Sequence, residues 1–362
     1  MMGMEAYLTP FSEERRLAKN LQINGFRTLL CLLVIAYHYG GIFFVRFGYW
    51  NRMPSLFANL IIMVVGLFFL ISGFFLSFRS PWDFIKSKFL RIYLPYALTT
   101  LVVFLVCYSA GYPKYITYQE WGLNFLIYPL AMKQAGYAAG NLWFIVYLWI
   151  FFTIYFFANL LAWPFRKKIN LVPILMGICG VFAFSYRYIV WNETKESFIH
   201  LLLDMFFTGH YHCYTFLYLG YALRLCYDGW KSKAKWPYQV GALVFALAFL
   251  SFLMVQLYGD DGYHWSSAIA FYGLLAIFVL CLFNKLPFFS AAPFQWLGSA
   301  SMWIYMIHEN LGYLVIQSFM SLDASLYPIG VSLAIIFALL AGLLINFTYD
   351  KALSFLKKNS SL

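Results

Sequence analysis

The chain has 362 residues, of which 63% are hydrophobic, 22% aromatic and only 11% charged, with a formal net charge of +11. Soluble domains carry about 45–50% apolar and about 25% charged residues, and a globule of this size lacks the polar surface to cover so much apolar mass. This composition excludes a soluble enzyme and a disordered chain, and the long unbroken apolar runs exclude the alternating pattern of a membrane barrel. An all-α integral membrane protein remains, a polytopic bundle of transmembrane helices. About 20 apolar residues cross a bilayer, so this length accommodates about ten crossings.

Residues 1–20 are polar and are expected to form a cytoplasmic N-terminal segment. The first apolar run, 24–45, contains Arg27 and lacks a small-residue cleavage site, which marks a retained helix and not a removed signal peptide. Further runs bounded by charge, Pro or Gly fall at 58–78, 92–110, 141–163, 171–190, 205–226, 238–257, 264–284, 299–320 and 327–348. A transmembrane domain is expected over 21–350, followed by a short cytoplasmic tail at 351–362. Within the longest connection, 111–140, the stretch 121–130 is expected to lie in the interface plane. With the N-terminus inside, eighteen Lys and Arg fall on the cytoplasmic side and six on the outer side, with Arg27 inside the first helix. That asymmetry predicts ten crossings with both termini cytoplasmic, because one miscounted helix would invert every later loop. The basic excess then reflects topology and anionic lipid contact and implies no nucleic acid.

Ionisable groups inside crossings are costly and point to function. On the first helix, Arg27 and His38 are eleven residues apart, three turns plus about 20°, so they share a face about 16 Å apart along the axis. Lys88 and Arg91, at the basic entrance to the third helix, are i,i+3 neighbours able to converge on one anion. The ninth run carries Tyr305, His308 and Glu309, with His308 about 15 Å deep. Adjacent residues do not face each other on a helix, so Glu309 is expected to pair with another helix.

Other features point to no further chemistry. The six cysteines (31, 107, 179, 213, 226 and 281) are scattered without a CxxC and read as free thiols. His210, His212 and Cys213 lack a second half and are not expected to bind metal, and Asp260 and Asp261 read as an outer turn. The aromatic stretch 143–157 faces lipid or other helices. No P-loop, GxGxxG, GxSxG or HExxH occurs.

These residues resemble the acyltransferase 3 family, integral membrane enzymes that transfer acyl groups, usually to extracytoplasmic or membrane-linked glycans. INGFR at 23–27 running to His38 is similar to the family's opening Arg-x10-His helix, and FFLISGFFL at 68–76 to its Ser-Gly-Phe helix. KFLRIYLP at 88–95 resembles its basic third-helix entry, Asn141-Leu142-Trp143-Phe144 a middle-helix opening, and IYMIH at 304–308 its late Tyr-x-x-His helix. The resemblance spans about 20–350. Lys88 stands where the family usually has arginine, and no extracytoplasmic esterase-like domain follows, so the peptidoglycan-modifying subgroup is not expected.

The resemblance implies a multi-pass O-acyltransferase, with acetyl as the expected group, in a bacterial-type cytoplasmic (inner) membrane. Acyl-CoA is its expected co-substrate, with no separate cofactor and no metal. Arg27, Lys88 and Arg91 would meet the donor's phosphates. His38 would act as general base or acyl relay, with His308 as its catalytic partner. Ser72, Tyr305 and Glu309 would support them. The acceptor would be a cell-surface glycan such as an exopolysaccharide, or a lipid-linked sugar, and membrane lipids and polysaccharide biosynthesis machinery are the expected partners. The competing class is an exporter of polysaccharide or lipid-linked sugar, in which the same buried His, Arg and Glu would form a substrate path.

Overall fold

A computed structural model describes residues 20–43, 55–78, 80–111, 143–165, 171–190, 212–231, 239–248 and 264–359. The expected interfacial stretch 121–130, Asn141 and Leu142, His210, and Asp260 and Asp261 lie outside them. All regular structure among the described residues is helical. In order come α1 (Leu21–Tyr37) running into a π-turn (His38–Ile42), α2 (Ser55–Phe74), α3 (Pro81–Lys88), a second π-turn (Phe89–Tyr93) and α4 (Leu94–Ser109). Next are α5 (Trp143–Ala162), α6 (Val172–Val190), α7 (His212–Lys231) and α8 (Gln239–Ala248). The last three are α9 (His264–Leu282), α10 (Ala292–Met320) and α11 (Tyr327–Asn359).

Each of the ten apolar runs overlaps one of these helices. Among the described residues, four stretches are long and apolar enough to cross a bilayer: Leu21–Gly41, Pro81–Ser109, Trp143–Phe165 and Ala324–Phe355. With no bilayer water to satisfy backbone groups, such stretches must be helical. The chain is an all-α membrane protein. Its α11 turns Leu340, Leu344 and Phe347 outward, the kind of surface that lipid covers, and continues helically through 351–359 of the expected tail.

The chain divides into two compact units. Of the described residues, the first takes in those within 65–93 and 144–271, and the second those within 20–64, 94–143 and 272–359. Aromatic rings fill the first. Phe69 lies 4.5 Å from the Phe144 ring and 5.2 Å from Phe151, and Phe151 in turn lies 5.3 Å from Tyr214. Helices α2 and α7 cross at glycines, since a β-carbon at Gly73 would stand 1.9 Å from the Leu217 carbonyl oxygen and one at Gly220 1.9 Å from that of Leu70.

The second unit is built around α10, which is buried on every side from 303 to 313 and packs against α1, α4 and α11. Polar side chains join α1 to α10 and to the segment before it. Asn20 caps α1 by accepting the Ile23 N–H at 3.1 Å, the N-cap role its short amide favours. The Asn24 side-chain amide donates to the Gln295 carbonyl at 3.0 Å, and the Thr28 hydroxyl to the Phe294 carbonyl at 2.6 Å. The Cys31 thiol points at the Ser301 carbonyl, 3.8 Å away. All six cysteines are free, four of them buried and Cys179 and Cys226 half-buried.

Candidate active site

The α1 stripe that begins at Asn20, Asn24, Thr28 and Cys31 ends at His38, where the helix changes from α to π. A π-turn is rare and is often found at functional sites. Among the described residues there are two, and each carries a residue that the sequence singled out, His38 in one and Arg91 in the other.

His38 is buried against α10. Its ring stands edge-on to the His308 ring, with centroids 4.8 Å apart and planes at 88°. Its Nδ1 is 3.6 Å from Oε2 of buried Glu309. That distance suits an ion pair and is too long for a hydrogen bond. Glu309 thus meets a residue of another helix, because its neighbour His308 projects about 100° away on the same helix. Closer to Nδ1 is the Tyr313 hydroxyl oxygen, at 3.2 Å.

His308 is fully buried and held through its own backbone. Its Nδ1 lies 2.6 Å from the Tyr305 carbonyl oxygen, one turn back. A carbonyl only accepts, so Nδ1 carries the proton and Nε2 the lone pair. That Nε2 is buried with no hydrogen-bond partner among the described residues. Tyr39, in the π-turn, donates its hydroxyl to the His308 carbonyl at 2.8 Å. The Tyr327 hydroxyl, at the start of α11, donates to the Tyr39 carbonyl. Three tyrosines absent from the sequence expectations therefore tie the π-turn to α10 and α11. Their signal was weak, since tyrosine is abundant in this chain and a tyrosine in a membrane helix is unremarkable.

Arg27 is half-buried on α1, and no hydrogen-bond or ion-pair partner meets its guanidinium among the described residues. Tyr305 is buried, and its ring lies 5.7 Å from the His308 ring. The remaining expected site residues belong to the first unit. Lys88 Nζ sits over the Phe152 ring at 3.9 Å and the Phe84 ring at 5.2 Å, while Arg91 is exposed on its π-turn. The Ser72 hydroxyl donates to the Phe68 carbonyl of its own helix at 2.8 Å.

A buried base paired with a carboxylate inside a helical membrane protein is suited to moving a proton during group transfer. The acyltransferase 3 family, whose model is described as an acyltransferase domain, matches residues 20–347. The chain belongs to that family and is a membrane acyltransferase. No curated protein and no solved structure matches it.

Proposed function

We propose that this protein moves an acyl group, most simply acetyl, from cytoplasmic acyl-CoA to a hydroxyl of a cell-surface or lipid-linked glycan, and that it works from the cytoplasmic membrane. The observation that carries this reading is His38, which continues the helix of Arg27 and is buried beside Glu309 and His308 of α10. In the proposed step His38 Nε2 takes the proton of the acceptor hydroxyl, and the alkoxide oxygen attacks the thioester carbonyl. The carbon–sulfur bond then breaks, and the CoA thiolate leaves with the proton that His38 returns. Glu309 favours the transient imidazolium by its charge.

A half-buried guanidinium with no carboxylate paired to it among the described residues suits the donor's phosphates, which it can hold through charge-assisted hydrogen bonds. The charge of Lys88 and Arg91 keeps them as proposed donor contacts, and Ser72 and Tyr305 as proposed supporting groups. The ten-crossing topology with both termini inside belongs to the same reading, because it puts Arg27 at the cytoplasmic end of the first helix and His38 deep in the bilayer.

The test is incubation of membranes containing the protein with radiolabelled acetyl-CoA, followed by extraction of glycan. Label should enter the glycan with the wild type and not with His38→Ala. A folded wild type that labels no glycan or lipid-linked sugar from any acyl-CoA overturns the reading. Label retained on the protein when acceptor is withheld would make His38 an acyl relay and not a general base.

A further inference from the structure

We propose that Tyr313 is a positioning residue for the acyl transfer, and that its hydroxyl keeps the proton of His38 on Nδ1 so that Nε2 is left as the base. This rests on the reading of His38 as the base and adds the group that sets its tautomer.

The argument starts from the atoms around Nδ1. Glu309 lies at 3.6 Å, outside hydrogen-bond reach, so it biases the imidazole by charge without fixing a proton. The Tyr313 oxygen is within reach of two atoms of the same residue, Nδ1 at 3.2 Å and the backbone carbonyl of His38 at 3.3 Å. A phenol has one proton to give. If it goes to Nδ1, the ring proton must sit on Nε2, and the imidazole presents a donor where the reaction needs a lone pair. If it goes to the carbonyl, the Tyr313 oxygen is left as an acceptor, and Nδ1–H can donate to it. The lone pair then falls on Nε2.

Two features favour the second arrangement. The Tyr313 hydroxyl is placed to donate to the His38 carbonyl, which has two lone pairs and so can accept it together with the Phe43 N–H of the π-turn. The Glu309 charge also prefers a proton on the nitrogen nearest to it. The tautomer of a histidine is set by the hydrogen bond of its other nitrogen, and here that bond comes from α10 to a residue of α1 that is 275 positions away.

The experiment is nitrogen-15 NMR of histidine-labelled, full-length protein in detergent, with the His38 signals assigned by their loss in His38→Gln, together with steady-state kinetics in reconstituted membranes. Wild-type His38 should show the Nδ1–H tautomer at neutral pH. Tyr313→Phe should bring in the Nε2–H tautomer and lower kcat about tenfold to a hundredfold, with KM for both substrates nearly unchanged. Tyr327→Phe, which loses a bond to the Tyr39 carbonyl, should leave the His38 tautomer as it is in the wild type. The Nε2–H form in the wild type overturns the inference even if Tyr313→Phe does not fold. So does a folded Tyr313→Phe with unchanged kcat and spectrum. An active His38→Ala would instead refute the reading of His38 as the base, whatever the spectra show.

Discussion

Both units of the chain are built from apolar helices, but their interiors hold different groups. In the first, rings meet rings, and backbone meets backbone at Gly73 and Gly220. Among its described residues the buried charged side chain is Arg224, paired one turn along its own helix with Asp228 at 2.7 Å. In the second, two histidines and a glutamate are buried at the meeting of α1 and α10, with tyrosine hydroxyls donating to backbone carbonyls around them, as Tyr214 and Tyr218 also do in the first unit. Burying such groups costs several kcal/mol unless they are paired, so a membrane protein keeps them where chemistry requires it. An aromatic and glycine interior needs only shape to hold. The polar one needs each proton in its place, and it is therefore sensitive to single atoms.

Substitutions in the histidine pair, at Gly220 and at Lys88 put this contrast to the test, in decreasing order of expected effect. His38→Ala should lower acyl transfer by about 10²–10⁴-fold, the usual loss for a positioned general base, while thermal unfolding of the purified protein stays close to the wild type. His308→Ala, measured alongside, should cost less and act more on acceptor KM. Wild-type turnover by a folded His38→Ala would mean that the polar interior is a structural clasp.

The second variant acts on shape. Gly220→Ala should destabilise by about 1–3 kcal/mol, because the new methyl meets a backbone oxygen that cannot rotate away. Its signature is a lowered Tm in detergent with turnover kept at temperatures below the transition. An unchanged Tm would show that α2 and α7 do not approach as closely as their glycines allow.

Lys88 gives the smallest effect. Lys88→Met removes a charge from the Phe152 and Phe84 rings and should cost about 0.5–2 kcal/mol of stability. Lys88→Arg should be tolerated, since a guanidinium keeps both charge and ring contact. A rise in KM for acyl-CoA in the Met variant would support Lys88 as a donor contact, and an unchanged KM with a lowered Tm would leave it a scaffold residue alone.

The sequence by itself determined the class of protein and the family, and it marked the ionisable residues that lie inside apolar runs. Insertion into a bilayer depends on local composition, and a membrane helix satisfies its own backbone, so apolar runs and the rare charges within them can be read one segment at a time. Arg27, His38, His308 and Glu309 stood out for that reason. The stripe of Asn20, Asn24, Thr28 and Cys31, spaced four, four and three, was also there to be read as one face of α1.

Only the tertiary structure decided which of these groups meet. A helix buried on all sides, as α10 is from 303 to 313, has no amphipathic signature to say where His308 and Glu309 point. The π-turn at His38 contains Gly40 and Gly41, which loosen the helix there without saying what holds the turn. It is held by hydroxyls from Tyr313 and Tyr327, which lie more than 270 residues away in the chain. Whether Nδ1 of His38 meets a carboxylate, a phenol or both is a matter of about an ångström. Helical periodicity resolves a face of the helix and not an atom, so that choice falls to the packing of α1 on α10.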